Sequence, residues 1–182
     1  MRGAASPARK EPRIRNRLVP FIVSAAVLLV DQVSKLLIVA GLKPYEVLPV
    51  VGSLLQFKLR YNPYGVLSIS FGADYIYYVV NAIGILALVY FMLKVAVGRF
   101  DRMVLGAILG GALGNTLDRL RIDKVIDFVD MGIGNARWPT YNLADAALTI
   151  GILLIVANEF FGRRKRGRHD CVSQRDEPRC HD

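Results

Sequence analysis

The chain has 182 residues, of which 53% are hydrophobic and 21% charged, and carries a formal net charge of +9 at neutral pH. A mean hydropathy of +0.35, with the apolar residues gathered into long runs, argues against a soluble domain and for a membrane protein. The positive charge sits beside those runs, which argues against a nucleic-acid surface and for membrane topology.

A hydrocarbon core about 30 Å thick needs about 20 apolar residues per helix. Four segments are read as spans: Leu18 to Ala40, Tyr75 to Leu93, Met103 to Leu120 and Leu143 to Phe161. The expected fold is therefore a mainly α membrane protein, with four transmembrane helices over residues 18–161 and a small extracytoplasmic β-sheet within 41–72. Basic cytoplasmic tails at 1–17 and 162–182 flank it. Basic residues cluster before the first helix (Arg13, Arg15, Arg17), between the second and third (Lys94, Arg99, Arg102) and after the fourth (Arg163, Arg164, Lys165). Such clusters stay inside, so both termini are expected in the cytoplasm.

The first apolar run is too long for a cleaved signal segment and contains Asp31 and Lys35, so it is kept as a helix. Those two residues are one turn apart on one face, with the acid first, which suits an internal ion pair holding this helix against its neighbours. From Gly41 to Gly72 the sequence alternates apolar with polar residues and is broken by Pro49, Gly52 and Pro63, a pattern of short strands and turns. Asn62 falls at one of those turns, where backbone capping is its ordinary role. Tyr75, Tyr77 and Tyr78 open the second helix as an interfacial aromatic cluster.

In the third helix Gly106, Gly110 and Gly114 repeat at a spacing of four, which admits a close helix neighbour. Gly111, Asn115 and Asp118 lie on an adjacent stripe, and Arg119 follows one turn after Asn115. Val125 to Asp130 then alternates as a strand, so that Asp127 is expected to point away from Ile126 and Phe128. The fourth helix begins after Trp138 and Pro139, and Asn142 with Asp145 has the spacing of a capping box.

With helices one and three running outward, Asp31, Lys35, Asn62, Asn115, Asp118, Arg119, Asp127, Asn142 and Asp145 all collect at the outer end. One shared polar site there is the economical inference. Two of its carboxylates could share a proton, since like charges close together do not both ionise cheaply. One would then take a proton from water while the other donates to a substrate carbonyl, the chemistry of aspartic peptide hydrolysis. No cysteine lies near this cluster, both histidines are in the tail, and no metal-ligand cluster accompanies it. Cys171 and Cys180, beside His169 and His181, fit no common zinc spacing and are expected to be free thiols. The residues alone do not choose Asp127 over Asp118, Asp123 or Asp130, and Asp145 remains open as a simple helix cap.

The ordered blocks resemble those of the lipoprotein signal peptidases, signal peptidase II. These are Asp31-Gln32-Val33-Ser34-Lys35, Asn62 with Ser68, Gly110 to Arg119, Val125-Ile126-Asp127-Phe128 and Trp138 to Asp145. The resemblance covers about residues 18–161. It implies an inner-membrane aspartic endopeptidase, of four helices and a small outer sheet, that cuts prolipoproteins before the diacylglyceryl-modified cysteine. It also implies that Asp127 and Asp145 are the catalytic dyad, that Asn62, Asn115, Arg119 and Asn142 position substrate or dyad, and that Asp31 and Lys35 support them. The family pattern has glycine two residues after the site asparagine and phenylalanine before the serine, where this chain has Tyr64 and Leu67, with Gly65 displaced by one. Expected partners are diacylglyceryl-modified prolipoproteins and membrane lipids, with no nucleic acid, no cofactor and no metal, in a monomer. A small membrane transporter and an inactive paralogue are the alternatives; the transporter is expected to carry its polar residues near the midplane.

Overall fold

In a computed structural model, residues 15–63, 74–96 and 98–173 are described, with side chains over 18–63, 78–96 and 98–161. The expectations placed on Tyr64, Gly65, Leu67 and Ser68, on the side chains of Tyr75 and Tyr77, on the tail cysteines and histidines, and on the terminal stretches 1–14 and 174–182 lie outside those residues.

Four long helices and one antiparallel sheet make up the described chain: α1 (Arg15–Gly41), β1 (Val47–Val51), β2 (Leu55–Asn62), α2 (Asp74–Tyr90), α3 (Arg99–Ile122), β3 (Val125–Ile133), β4 (Ala136–Arg137) and α4 (Leu143–Ser173). A π-helical turn, Phe91–Val95, extends α2, and its Met92 is fully buried. The strands stand in the order β1-β2-β3-β4.

Three of the helices are long and apolar enough to cross a membrane, over Leu18–Gly41, Tyr78–Val95 and Leu143–Phe161. Their surfaces fit that solvent, with Leu29, Leu37, Leu86, Leu153 and Phe160 all exposed. In water such a surface would be a large uncovered apolar patch. The third predicted span falls short of the same hydropathy, and packing explains its composition. α3 contacts α1, α2 and α4 and makes its most extensive contacts with α1 and α4. A helix whose sides are covered by protein has no need of large apolar side chains, and small residues let its neighbours come close.

The glycine stripe is the instrument of that approach. A methyl on Gly106 would collide with the backbone carbonyl of Pro20, and one on Gly110 would lie 2.5 Å from the carbonyl oxygen of Ser24. Gly111, on the adjacent stripe, faces α4, where a methyl would lie 2.6 Å from the carbonyl oxygen of Ala144. One glycine-bearing helix thus seats α1 on one side and α4 on the other.

The region expected to hold strands does so. β2 pairs with β3 from Asn62↔Val125 to Leu55↔Met131, with a register shift between Phe57 and Arg60. A second irregularity meets it on β3, where the N–H groups of Phe128 and Val129 both donate to the Tyr141 carbonyl. Such bulges bend a strand and re-aim its side chains. The simple alternation expected around Asp127 is therefore interrupted, and Asp127, Phe128 and Val129 are all buried. β3 contacts both α1 and α3, which ties the sheet to the helices where α3 ends.

Gly110→Ala is expected to destabilise the protein by about 1–3 kcal/mol, the usual cost of overpacking, in denaturant unfolding carried out in detergent. Gly84→Ala on α2, where an added methyl meets nothing within 4 Å, is expected to cause no loss.

Candidate active site

The sheet and the first turn of α4 bring Asp127 and Asp145 to one amide network. Asp127 Oδ2 accepts from Asn62 Nδ2 at 3.1 Å, and its Oδ1 accepts from Asn142 Nδ2 at 2.8 Å. Asp145 Oδ1 accepts from Asn115 Nδ2 at 2.7 Å. The two halves join where Asn142 Nδ2 lies 3.2 Å from Asn115 Oδ1. Strand β2, strand β3, helix α3 and the start of α4 each contribute to this chain of contacts.

Asp145 also does what its sequence position suggested. Asn142 Oδ1 accepts from the Asp145 backbone N–H at 2.9 Å, and Asp145 Oδ2 accepts from the Asn142 backbone N–H at 3.3 Å. This is a completed capping box, which satisfies two donors at the helix start. Capping and facing the network are compatible because a carboxylate has two oxygens.

Beneath the network lies a buried ionic group. Lys35 Nζ pairs with Asp31 Oδ2 and with Asp118 Oδ2, each at 2.7 Å, and donates to Asn115 Oδ1 at 3.2 Å. All three charged side chains are at most 3% exposed. Gln32 adds bonds to Asp118 Oδ1 at 3.0 Å and to the Gly114 carbonyl at 3.2 Å. Two further contacts reach the backbone beside the paired aspartates. Asp118 Oδ2 accepts from Ile126 N at 3.2 Å, one residue before Asp127, and Asp31 Oδ1 accepts from Ala144 N at 2.9 Å, one residue before Asp145. A methyl on Gly114 would lie 2.6 Å from Asp31 Oδ2, so this glycine makes room for the ion pair.

The matching proteins carry the same architecture. Residues 23–161 match the model of the signal peptidase II family. The chain belongs to that family. Among its relatives, the lipoprotein signal peptidase of Listeria monocytogenes is 34% identical over 146 residues, covering 80% of this chain and 95% of the relative. That of Geobacillus kaustophilus is 32% identical over 140 residues, covering 76% and 91%. A bacterial membrane enzyme solved at 2.3 Å is 31% identical, with a TM-score of 0.72 over 78% of this chain and 87% of that one. Another, at 1.9 Å, is 30% identical, with a TM-score of 0.71 over 82% and 96%. Signal peptidase II enzymes are aspartic peptidases, and the resemblance seen in the motifs is thereby shown to be membership.

Within this family member the acids left open by the sequence acquire distinct surroundings. Asp118 is committed to Lys35, Gln32 and the Ile126 amide. Asp123 ends α3 in the left-handed conformation and accepts from Tyr78 Oη at 3.0 Å. Asp130 is held by Arg137 at 2.8 Å. Asp127 is the one of the four whose carboxylate meets the amides of Asn62 and Asn142. The sequence placed Asp118 in the shared polar cluster, on the stripe of Asn115, but gave no sign that it is buried against Lys35.

Arg119 is not drawn into this cluster. Its Nη1 donates to the Asn115 carbonyl at 3.4 Å, and among the described residues it forms no ion pair with either aspartate. Arg119, half-buried as a residue, stays beside the amide network through the Asn115 backbone it touches.

Burial pushes the Asp127 carboxyl up to about 7 from its ordinary 3.8, with the Asp145 charge acting in the same direction and the amides of Asn62 and Asn142 and the Lys35 charge opposing. The folded protein therefore holds this proton across a pH range in which the unfolded chain has released it. Stability falls as pH rises through that range, because the native state binds more protons there. Asp127→Asn is expected to flatten the decline in unfolding free energy between about pH 4 and 7, read from denaturation in detergent across pH. The ionic group gives a second expectation. Lys35→Met leaves two buried carboxylates without their cation and is expected to cost about 3–5 kcal/mol, whereas Asp118→Asn keeps the Asp31–Lys35 pair and is expected to cost less in the same unfolding measurement.

Proposed function

We propose that Asp127 and Asp145 are the catalytic dyad of an endopeptidase that removes signal peptides from prolipoproteins, cutting before the diacylglyceryl-modified cysteine. The observation that carries this reading is the convergence of these two acids, from a strand and from a helix start, on one network of three asparagine amides. The relatives' name, lipoprotein signal peptidase, supplies the substrate class.

In that reaction the ionised aspartate takes a proton from a water molecule as the water oxygen attacks the scissile carbonyl. The protonated partner donates to the carbonyl oxygen, giving a tetrahedral diol. Transfer of the acquired proton to the departing amide nitrogen, while the other aspartate takes one back from a diol hydroxyl, then breaks the C–N bond and returns the dyad to one shared proton. A neutral Asp127 at moderate pH suits the donor state, while the pair titrates as a unit. Asn62 and Asn142 fix Asp127, Asn115 fixes Asp145, and Lys35 holds Asn115 with its amide N–H groups toward Asp145. Arg119 serves as a substrate-positioning residue beside them.

We read α3 as the fourth transmembrane helix, since its 24 residues span about 36 Å at about 1.5 Å per residue and its flanks are covered by the other helices. The basic flanks of the helices support cytoplasmic termini, and hence an active site at the extracytoplasmic face of the bacterial inner membrane. On that face the exposed apolar residues of β1, Leu48 and Val50 among them, suit contact with the membrane surface. The protein works as a monomer in this reading, with membrane lipids around it. A transporter is disfavoured because the polar side chains gather at one end of the bundle rather than at its middle.

Purified protein is expected to cleave a diacylglyceryl-modified precursor and to spare the unmodified control, as followed by gel shift. Asp127→Asn and Asp145→Asn are each expected to abolish that cleavage while still inserting in the membrane; full cleavage by either variant would refute the dyad. Activity is expected to persist in a metal chelator, measured in the same assay.

A further inference from the structure

Between the C-terminal ends of α1 and α3 lies a concavity of about 160 Å³, lined by neither Asp127 nor Asp145. Leu36, Val39, Ile122 and Ile126 form its walls. Its floor is the Lys35–Asp118 pair, whose polar atoms are already engaged by Asp31, Gln32, Asn115 and the Ile126 amide. The cleft therefore offers hydrocarbon walls and no unmet polar group at its base. An apolar cavity of about 150 Å³ elsewhere stays dry yet admits a benzene-sized group, so this one suits a segment of an acyl chain.

The rim is different in character. Arg121 is exposed, donates from Nη1 to Gln32 Oε1 at 3.1 Å, and forms no ion pair among the described residues. Leu37 of α1 and Leu120 of α3, both more than 65% exposed, continue the apolar surface on either side. A guanidinium at the end of an apolar cleft, on a surface that faces lipid, complements an anion carried on a hydrocarbon chain.

We propose that this cleft binds one anionic phospholipid, with an acyl segment between Leu36, Val39 and Ile122 and its phosphate on Arg121. This rests on the membrane-embedded reading above but not on the assignment of the dyad. The bound lipid would close the gap between the two helix ends beside the ionic group and keep water from the Lys35–Asp118 pair.

The test is native mass spectrometry of the full-length protein released from nanodiscs of equal phosphatidylglycerol and phosphatidylcholine. One phosphatidylglycerol is expected to be retained in preference to phosphatidylcholine. Arg121→Gln is expected to reduce that retention about fivefold, the worth of one basic residue at a lipid surface, with phosphatidylcholine unaffected. Val39→Trp, which fills the cleft, is expected to reduce retention of both, and both variants should still cleave the modified precursor. Equal retention of the two lipids, or an Arg121→Gln variant that keeps its preference, would overturn the proposal. So would displacement of the lipid by inorganic phosphate, or variants that raise KM for the precursor while lipid retention stays unchanged. Loss of cleavage by the unsubstituted protein would instead count against the catalytic reading and leave the lipid measurement standing.

Discussion

Lys35 is a fully buried cation between two buried carboxylates, and the position of both candidate catalytic acids depends on it. One positive charge does not neutralise two negative ones, so the group carries excess negative charge in a region poor in water. The start of α4 offsets this, since Asp31 accepts the Ala144 amide where the helix presents the positive end of its dipole. Asp118 in turn accepts the Ile126 amide. The backbone segments just before Asp127 and Asp145 are thus both fastened to the same ion group, which fixes two acids from distant parts of the chain relative to each other.

That arrangement needs unusually close helices. Gly114 leaves room for the Asp31 carboxylate, while Gly106 and Gly110 let the α1 backbone approach α3 and Gly111 does the same for α4. The low hydropathy of α3 and the compactness of the site have one cause. A helix that must hold its neighbours this near carries small side chains, and a helix so covered does not need to be oily.

The amide network suits the pair to the proposed chemistry. Buried aspartates without donors would simply stay protonated, whereas Asn62, Asn142 and Asn115 supply hydrogen bonds that permit ionisation. Asparagine suits the task because it donates without adding charge, so burial and the neighbouring carboxylate can still hold a proton on Asp127 near neutral pH. At Asp145 the structural role leaves room for the proposed chemical one. Its capping bonds pin the side chain while its other oxygen faces the network.

Much of this was legible in the order of residues. Apolar run length set the helices, turn residues marked the strands, the spacing of four placed Lys35 over Asp31 and the glycines on one face, and the spacing of three predicted the cap at Asn142 and Asp145. These are local periodicities, which a linear chain states directly. The sequence did not say which aspartate of the α3–β3 region faces Asp145, because strand alternation cannot anticipate a bulge that interrupts it. Nor did it reveal that Asp118 belongs to the ion group, or that Arg119 turns to the backbone instead of to the acids. Those depend on distances between segments far apart in sequence. Such distances are set only when α1 and α4 close on the glycine faces of α3.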